Sequence, residues 1–384
     1  MTVHTRADAV VIGGGIIGMA TAFYLARQKH GQIVLLEKEQ FTGSCSTSKA
    51  AGGIRAQFSD KTNIQMSMLS EKVFCRFKEE TGQDALFDQV GYMFLLTRDE
   101  DVATFKKSVE LQRSLGLPVD ILKPSDIPQY SPHVRLDDVI MATFCKDDGL
   151  GDPHEFLSGY EKACRQMGVE IALETEVTGL KTDRGRITHV VTNKGTLACG
   201  VVVNATGAFA DKIGKMVGSE VKVAPIRRQC VTTGPLDFVK PFFPMIVDVA
   251  SGLYSHKESK GLLLGWADPN VQPSFDISID PDYTDAILER ALDRMPQLET
   301  AEVANKWAGL YETTPDHRAI IGREPEIENL YHNVGFSGHG FMHAPAAGIV
   351  VSQMIAGKEP EIDISALAPD RFARGVLQHE TNVI

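Results

Sequence analysis

The chain has 384 residues, 43% of them hydrophobic, enough for a large core in what the length suggests are two interleaved domains. Lysine and arginine number 39 against 50 aspartates and glutamates, a net charge of −11 spread along the chain, which argues against attraction to nucleic acid or an anionic membrane. Residues 1–8 lack the apolar segment of a secretory signal, no later run approaches a membrane span, and the six cysteines show neither a Cys-x-x-Cys pair nor zinc spacing, so reduced and mostly buried thiols, no metal and a cytoplasmic location are expected.

The first predicted element is the apolar strand Ala9-Val10-Val11-Ile12, which breaks into Gly13-Gly14-Gly15-Ile16-Ile17-Gly18 and enters a helical pattern over residues 19–28. Glycine permits a tight turn there and close approach to a pyrophosphate on the free N–H groups of the helix start. A second strand, Ile33-Val34-Leu35-Leu36, ends in Glu37, where a carboxylate would meet a ribose diol.

Residues 84–147 carry prolines and an apolar strand, Gly91-Tyr92-Met93-Phe94-Leu95-Leu96. A helix is predicted after Gly151, with Asp152 as cap, Pro153 at the first helical position and Glu155 closing a capping box. Short strands follow over residues 169–197, with hairpin turns at Asp183-Arg184-Gly185 and Asn193-Lys194-Gly195. Val201-Val202-Val203 reads as a further buried strand ending at Ala205-Thr206-Gly207. Residues 225–305 again carry prolines and apolar strands, among them Gly261-Leu262-Leu263-Leu264-Gly265-Trp266. The last signature is Gly335-Phe336-Ser337-Gly338-His339-Gly340-Phe341-Met342, leading into a helix of small residues. It aims a second helix N-terminus at something negative or electron-rich. A cofactor held from both ends of the chain must be long, and FAD fits better than NAD.

These segments resemble the D-amino-acid-oxidase-like flavoproteins, within them the branch of sarcosine oxidase, dimethylglycine dehydrogenase and the proline dehydrogenase β subunits. The likeness is carried by Val11 to Gly18 with Glu37, Ser44 to Arg55, Val203-Asn204-Ala205-Thr206-Gly207, the run Gly309-Leu310-Tyr311-Glu312-Thr313-Thr314-Pro315-Asp316-His317-Arg318, and Gly335 to Met342. It implies an α/β chain in which a Rossmann-like FAD domain of the glutathione-reductase type (residues 1–83, 148–224 and 306–384) is interleaved with an antiparallel-sheet substrate domain (84–147 and 225–305). The cofactor contacts it implies are Gly13, Gly15, Ile16, Ile17, Gly18, Glu37 and Lys38; Ser44, Ser46, Thr47, Ser48, Lys49, Ala51, Gly52 and Gly53; Val177 near the adenine; Ala205, Thr206 and Gly207; Gly309; and Gly338, His339, Gly340, Phe341 and Met342.

The chemistry so implied is hydride transfer from a carbon next to nitrogen onto flavin N5, with backbone N–H groups of residues 338–341 at the N1–C2 edge of the ring. Arg55 is the expected anchor for a substrate carboxylate, the alternative being a surface arginine on a turn. His339 is either a catalytic base or a backbone and packing residue. Tyr311 and Met342 are the other expected site residues. Tyr311 stands where the D-amino-acid and glycine oxidases place an arginine, shaping the pocket or filling core, and Met342 stands where monomeric sarcosine oxidases have a lysine. Leu263 replaces the oxygen-activating lysine of the sarcosine branch, so a dehydrogenase is expected rather than an efficient oxidase. Gly309 and Lys49 replace the cysteine and histidine that carry covalent flavin, so FAD is expected to be non-covalent; Cys45, in the segment beside it, reads as a packed small residue. A small-molecule amine or amino acid is the expected substrate, with an electron acceptor or partner flavoprotein subunit. Two other readings stay open: a 2-hydroxy-acid dehydrogenase with His339 or His343 as base, and a flavoprotein subunit or assembly factor that turns over little.

Overall fold

The computed structural model describes residues 5–382, so the outermost positions of the expected domain limits, 1–4 and 383–384, lie outside the described residues. The strand Arg6–Ile12 has parallel neighbours on both sides, Ile33–Leu36 and the second half of Gly195–Asn204. Its residues 9–11 are fully buried, as suits a central strand covered on both faces. Glu170–Ala172 pairs parallel outside Ile33–Leu36, and Leu330–Val334 pairs parallel with the far end of Gly195–Asn204. The hairpin strands Val177–Asp183 and Arg186–Thr192 extend the first half of that same strand, and Ile320–Arg323 closes the eight-stranded sheet.

Both predicted hairpins form, with Arg184 and Gly185 at positive φ in the first. The separate strand expected at residues 201–203 does not exist: the hairpin runs straight on as the ten-residue strand Gly195–Asn204. The predicted capping box is also absent. Asp152 caps the helix Pro153–Gln166 by accepting from the His154 amide at 2.7 Å, but the Glu155 carboxylate turns to the Leu86 amide instead. Long-range contact has won over the local reciprocal bond.

The first helix, Ile16–Arg27, packs between the sheet and the last helix, Gly340–Ile355. They lie in close contact at Gly348, where a Cβ would stand 2.9 Å from the Ala20 backbone. The small residues of the last helix are therefore a packing requirement.

A second eight-stranded sheet runs in the order Val303–Thr313, Ala224–Thr233, Gly261–Trp266, Leu253–Glu258, Met245–Asp248, Tyr92–Leu96, Met141–Cys145, Val119–Leu122. It is antiparallel except where Met245–Asp248 meets Tyr92–Leu96 in parallel, the seam at which two sequence segments join. Its strand Val303–Thr313 crosses the expected domain limit at 305/306. One face carries Met93, Leu95, Val231, Ile246, Leu262 and Leu264, in a core with residues of the helix Pro281–Arg294. The other face, with Tyr92, Met245, Tyr254, Cys230 and Arg228, is turned toward the first sheet and lines a cavity with it. Among the described residues no helix is long and apolar enough to cross a membrane, and no cluster of histidine, cysteine, aspartate and glutamate could hold a metal.

Candidate functional site

One cavity runs between the two sheets and draws its walls from both ends of the chain. At its outer end the strand Arg6–Ile12 ends in Gly13, whose φ of +111° only glycine adopts without strain; a Cβ there would stand 2.4 Å from the Ala205 carbonyl oxygen. Gly18 does not line the cavity. It acts one turn down the helix, where a Cβ would stand 1.9 Å from the Gly13 carbonyl oxygen, so it sets how closely the helix can follow the turn.

Glu37 is held at the strand end with Oε2 accepting from the Gly14 amide at 2.7 Å and Oε1 from the Glu39 amide at 2.8 Å. Each oxygen keeps a lone pair for a diol. Gly15, Ile16, Ile17, Lys38, Val177, Ala205, Thr206 and Gly207 line the same end. Thr47 fixes the helix start from the side, accepting from the Ile16 amide at 3.1 Å.

The middle of the cavity is walled by the segment after the second strand. Ser44, Ser46, Lys49, Ala51, Gly52 and Gly53 line it together with Thr47, whereas Ser48 turns its hydroxyl to the carbonyls of Ser44 and Cys45. Ser46 donates to the Leu310 carbonyl at 2.8 Å and Trp307 Nε1 to the Lys49 carbonyl at 3.1 Å, which binds the segment to the strand Val303–Thr313 and brings Gly309 into the wall. Cys45 lines the cavity but is exposed rather than packed, and partial burial pushes its thiol up, away from a reactive thiolate. The cysteines are free; Cys145, Cys164 and Cys230 are buried, Cys75 is exposed and Cys199 lies between.

At the inner end the last helix begins. The amides of Gly340, Phe341 and Met342 belong to its first turn, where no intrahelical acceptor exists, and all three residues line the cavity with Gly338 and His339. Arg55 lies beside them and is fully buried, which removes the surface alternative. Its guanidinium donates to the carbonyls of Gln57 and Asn382 and, at 3.3 Å, to His339 Nε2, with Phe58 beneath it at 4.0 Å. No carboxylate pairs with Arg55 among the described residues, and its Nε has no acceptor.

A guanidinium can only donate, so His339 Nε2 accepts and the ring is neutral there. Burial, and Arg55 after it, hold His339 well below the usual histidine range. His343 does not line the cavity; its Nε2 bonds Ser67 Oγ at 2.8 Å, and burial pushes it down to about 3. Tyr311 presses its ring on Gly338, with burial raising its hydroxyl.

Several lining residues were not anticipated. Arg228, from Ala224–Thr233, stands with its guanidinium carbon 5.5 Å from the Tyr311 ring centre. Cys230 and Tyr254 meet at 3.3 Å across Gly265, which pairs with both from the strand between theirs. Glu312 receives the amides of Gly335 and Phe336, while its Oε2, withdrawn from water, has no partner. Arg228 and Cys230 alternate on one strand, which is the signal that could have found them. Glu312 carries no such signal, because its partners are more than twenty residues away.

These features fit FAD. Two helix N-termini suit its pyrophosphate and the electron-rich edge of its ring, Glu37 suits a ribose diol, and the orphaned Glu312 Oε2 suits a hydroxyl donor from the chain between them.

Residues 8–354 match the family model described as DAO, FAD dependent oxidoreductase. The mitochondrial dimethylglycine dehydrogenase of Rattus norvegicus is 30% identical over 96% of this chain and 45% of its own length, so the chain spans about half of that relative. The FAD-dependent oxidoreductase domain-containing protein 1 of Mus musculus is 30% identical over 99% of this chain and 87% of its own. The crystal structure of L-proline dehydrogenase from P. horikoshii superposes with a TM-score of 0.93 at 32% identity, covering 98% of this chain and all of that one.

Proposed function

The chain belongs to the DAO family of FAD-dependent oxidoreductases, and from that premise we propose that it oxidises the C–N bond of a carboxylated secondary amine or N-substituted amino acid, as a dehydrogenase. The observation that carries the proposal is Arg55: a fully buried cation on the cavity wall, with no carboxylate paired to it among the described residues, beside the N-terminus of the last helix. A substrate carboxylate would supply the missing counter-charge and fix the adjoining C–H bond.

Bound FAD supplies the hydride acceptor. Arg55 holds the substrate in one orientation. The free amides of Gly340, Phe341 and Met342, aided by the helix dipole, would stabilise negative charge on the flavin held there. His339, neutral and with its Nε2 lone pair on Arg55, orients the guanidinium and does not take a substrate proton. The amine must then arrive unprotonated, which an apolar site without a base to take its proton requires. A 2-hydroxy acid would need a base, and both candidates are spent: His339 on Arg55, His343 on Ser67.

The dehydrogenase reading rests on Leu263, which pairs with Thr232 and is buried on the cavity side of the second sheet. Arg228 does not replace the missing lysine, since it lies four residues along from Thr232, about 13 Å at the rise of a strand.

Anaerobic addition of N-alkyl amino acids should bleach the flavin band. Arg55→Ala should slow that reduction by at least 100-fold, Arg55→Lys less, and air should restore the colour slowly. Unchanged rates in both variants would remove Arg55 from the site.

A further inference from the structure

Buried arginines elsewhere in this protein are paired. Arg294 meets Asp138 at 2.7 Å and Asp248 at 2.9 Å, Arg318 meets Asp60 at 2.8 Å, and Arg371 meets Asp316 at 2.8 Å. Arg227, one residue before Arg228 and on the opposite face of its strand, meets Asp280 at 3.0 Å. A guanidinium withdrawn from water without such a partner is costly, and the chain evidently avoids it where it can.

Two arginines without an ion pair line the cavity between the sheets, Arg55 fully buried and Arg228 half-buried, whereas half-buried Arg290, also without an ion pair, lies away from that cavity with its guanidinium 3.6 Å from the Trp266 ring centre. Arg55 uses its outer nitrogens on the carbonyls of Gln57 and Asn382 and on His339; Arg228 uses one of its own on the carbonyls of Arg227 and Asp268. Neither has an ion pair among the described residues; the Nε without an acceptor that both show is shared with the paired Arg135, Arg227 and Arg318, so it is the missing carboxylate that sets them apart. Of the carboxyls that line the cavity, Glu37 accepts from the amides of Gly14 and Glu39, Glu312 from those of Gly335 and Phe336, and Glu176 is exposed; none forms an ion pair with either arginine among the described residues. The ring of Tyr311 stands next to Arg228, and it presses on Gly338 at the inner end. A substrate with one carboxylate leaves one of these two charges uncompensated.

We propose that the substrate is a secondary amine bearing two carboxylates, one held by Arg55 next to the carbon that is oxidised and the other by Arg228 past Tyr311. The proposal rests on the amine-dehydrogenase reading above and narrows it to a substrate class. The second carboxylate sits either on the nitrogen substituent, as in an N-carboxyalkyl amino acid, or on the amino-acid side chain, as in an N-alkyl acidic amino acid; Arg228 recognises the same group in both.

The test is kcat/KM for flavin reduction in the FAD-loaded enzyme. One arm uses iminodiacetate, N-(2-carboxyethyl)glycine and N-(3-carboxypropyl)glycine, which carry the second carboxylate on tethers of increasing length. The other uses N-methylaspartate and N-methylglutamate, with sarcosine and L-proline as single-carboxylate references. The best dicarboxylate should exceed the references on the order of 10- to 100-fold, the worth of one charge-assisted bidentate contact. Arg228→Gln should collapse that ratio toward one and Arg228→Lys should restore part of it, with flavin content confirming that both variants are folded. The arm that holds the preferred compound locates the second carboxylate. Equal or better turnover of sarcosine or proline, or a ratio that Arg228→Gln leaves intact, overturns the assignment while the amine chemistry stands. No reduction by any of the amines overturns both.

Discussion

Glu312 shows how a single carboxyl in the cavity wall couples the site to pH. Burial pushes it up to about 7, against the amides of Gly335 and Phe336, which pull it down. In the unfolded chain it titrates near 4.5, so between these values the folded protein holds a proton that the unfolded chain has released. Stability is therefore lost as pH rises from about 5 through 7. Glu312→Gln, isosteric and neutral, removes this loss. In urea unfolding of the flavin-free protein, the advantage of the variant over the parent should grow between pH 5 and pH 8 to roughly 1–3 kcal/mol. A gap that does not change with pH would mean that the carboxyl is not buried as described.

Among the elements, the first and last helices decide the geometry of the cavity, because each presents its N-terminus to it. Their distance is set where Gly348 meets the Ala20 backbone, and Asn333 adds a bond from its side-chain amide to Thr21 Oγ1 at 3.0 Å. Gly348→Leu places a branched side chain where not even a Cβ fits. The helices must part, at a cost of roughly 1–3 kcal/mol, and the two N-termini then no longer address one cofactor. FAD affinity, read by flavin fluorescence, should fall at least 10-fold. Affinity equal to that of the parent would show that the crossing does not position the termini.

For the whole molecule, the cavity joins two sheets that share no strand, and between them the segment 44–53 is hydrogen-bonded to the strand Val303–Thr313 of the second. A ligand spanning that cavity ties the sheets together, so its binding free energy is added to the stability of the whole chain. FAD at about 100 times its dissociation constant should contribute about 2.7 kcal/mol and raise the melting temperature in a concentration-dependent way. Since neither Gly309 nor Lys49 can carry a covalent link, acid precipitation should leave all the flavin in solution. Colour retained in the pellet would contradict this.

Much of this was legible along the chain because its causes are local. Glycines at 13 and 18 are required by backbone sterics within one turn, the cap at Asp152 and Pro153 by unpaired amides, the hairpins by positive φ at 184–185 and at Gly195, and the strand-to-helix signatures at both ends by simple periodicity. Tertiary structure alone decided the rest. It sent Glu155 to Leu86 instead of its own helix, fused two expected strands into Gly195–Asn204, and laid Val303–Thr313 across an expected boundary. Among the described residues it also left Arg55 and Arg228 without ion pairs while pairing Arg227, Arg294, Arg318 and Arg371. The physical reason is that a charge, once buried, is governed by whatever the fold brings within a few ångströms, and those neighbours come from strands far away in sequence.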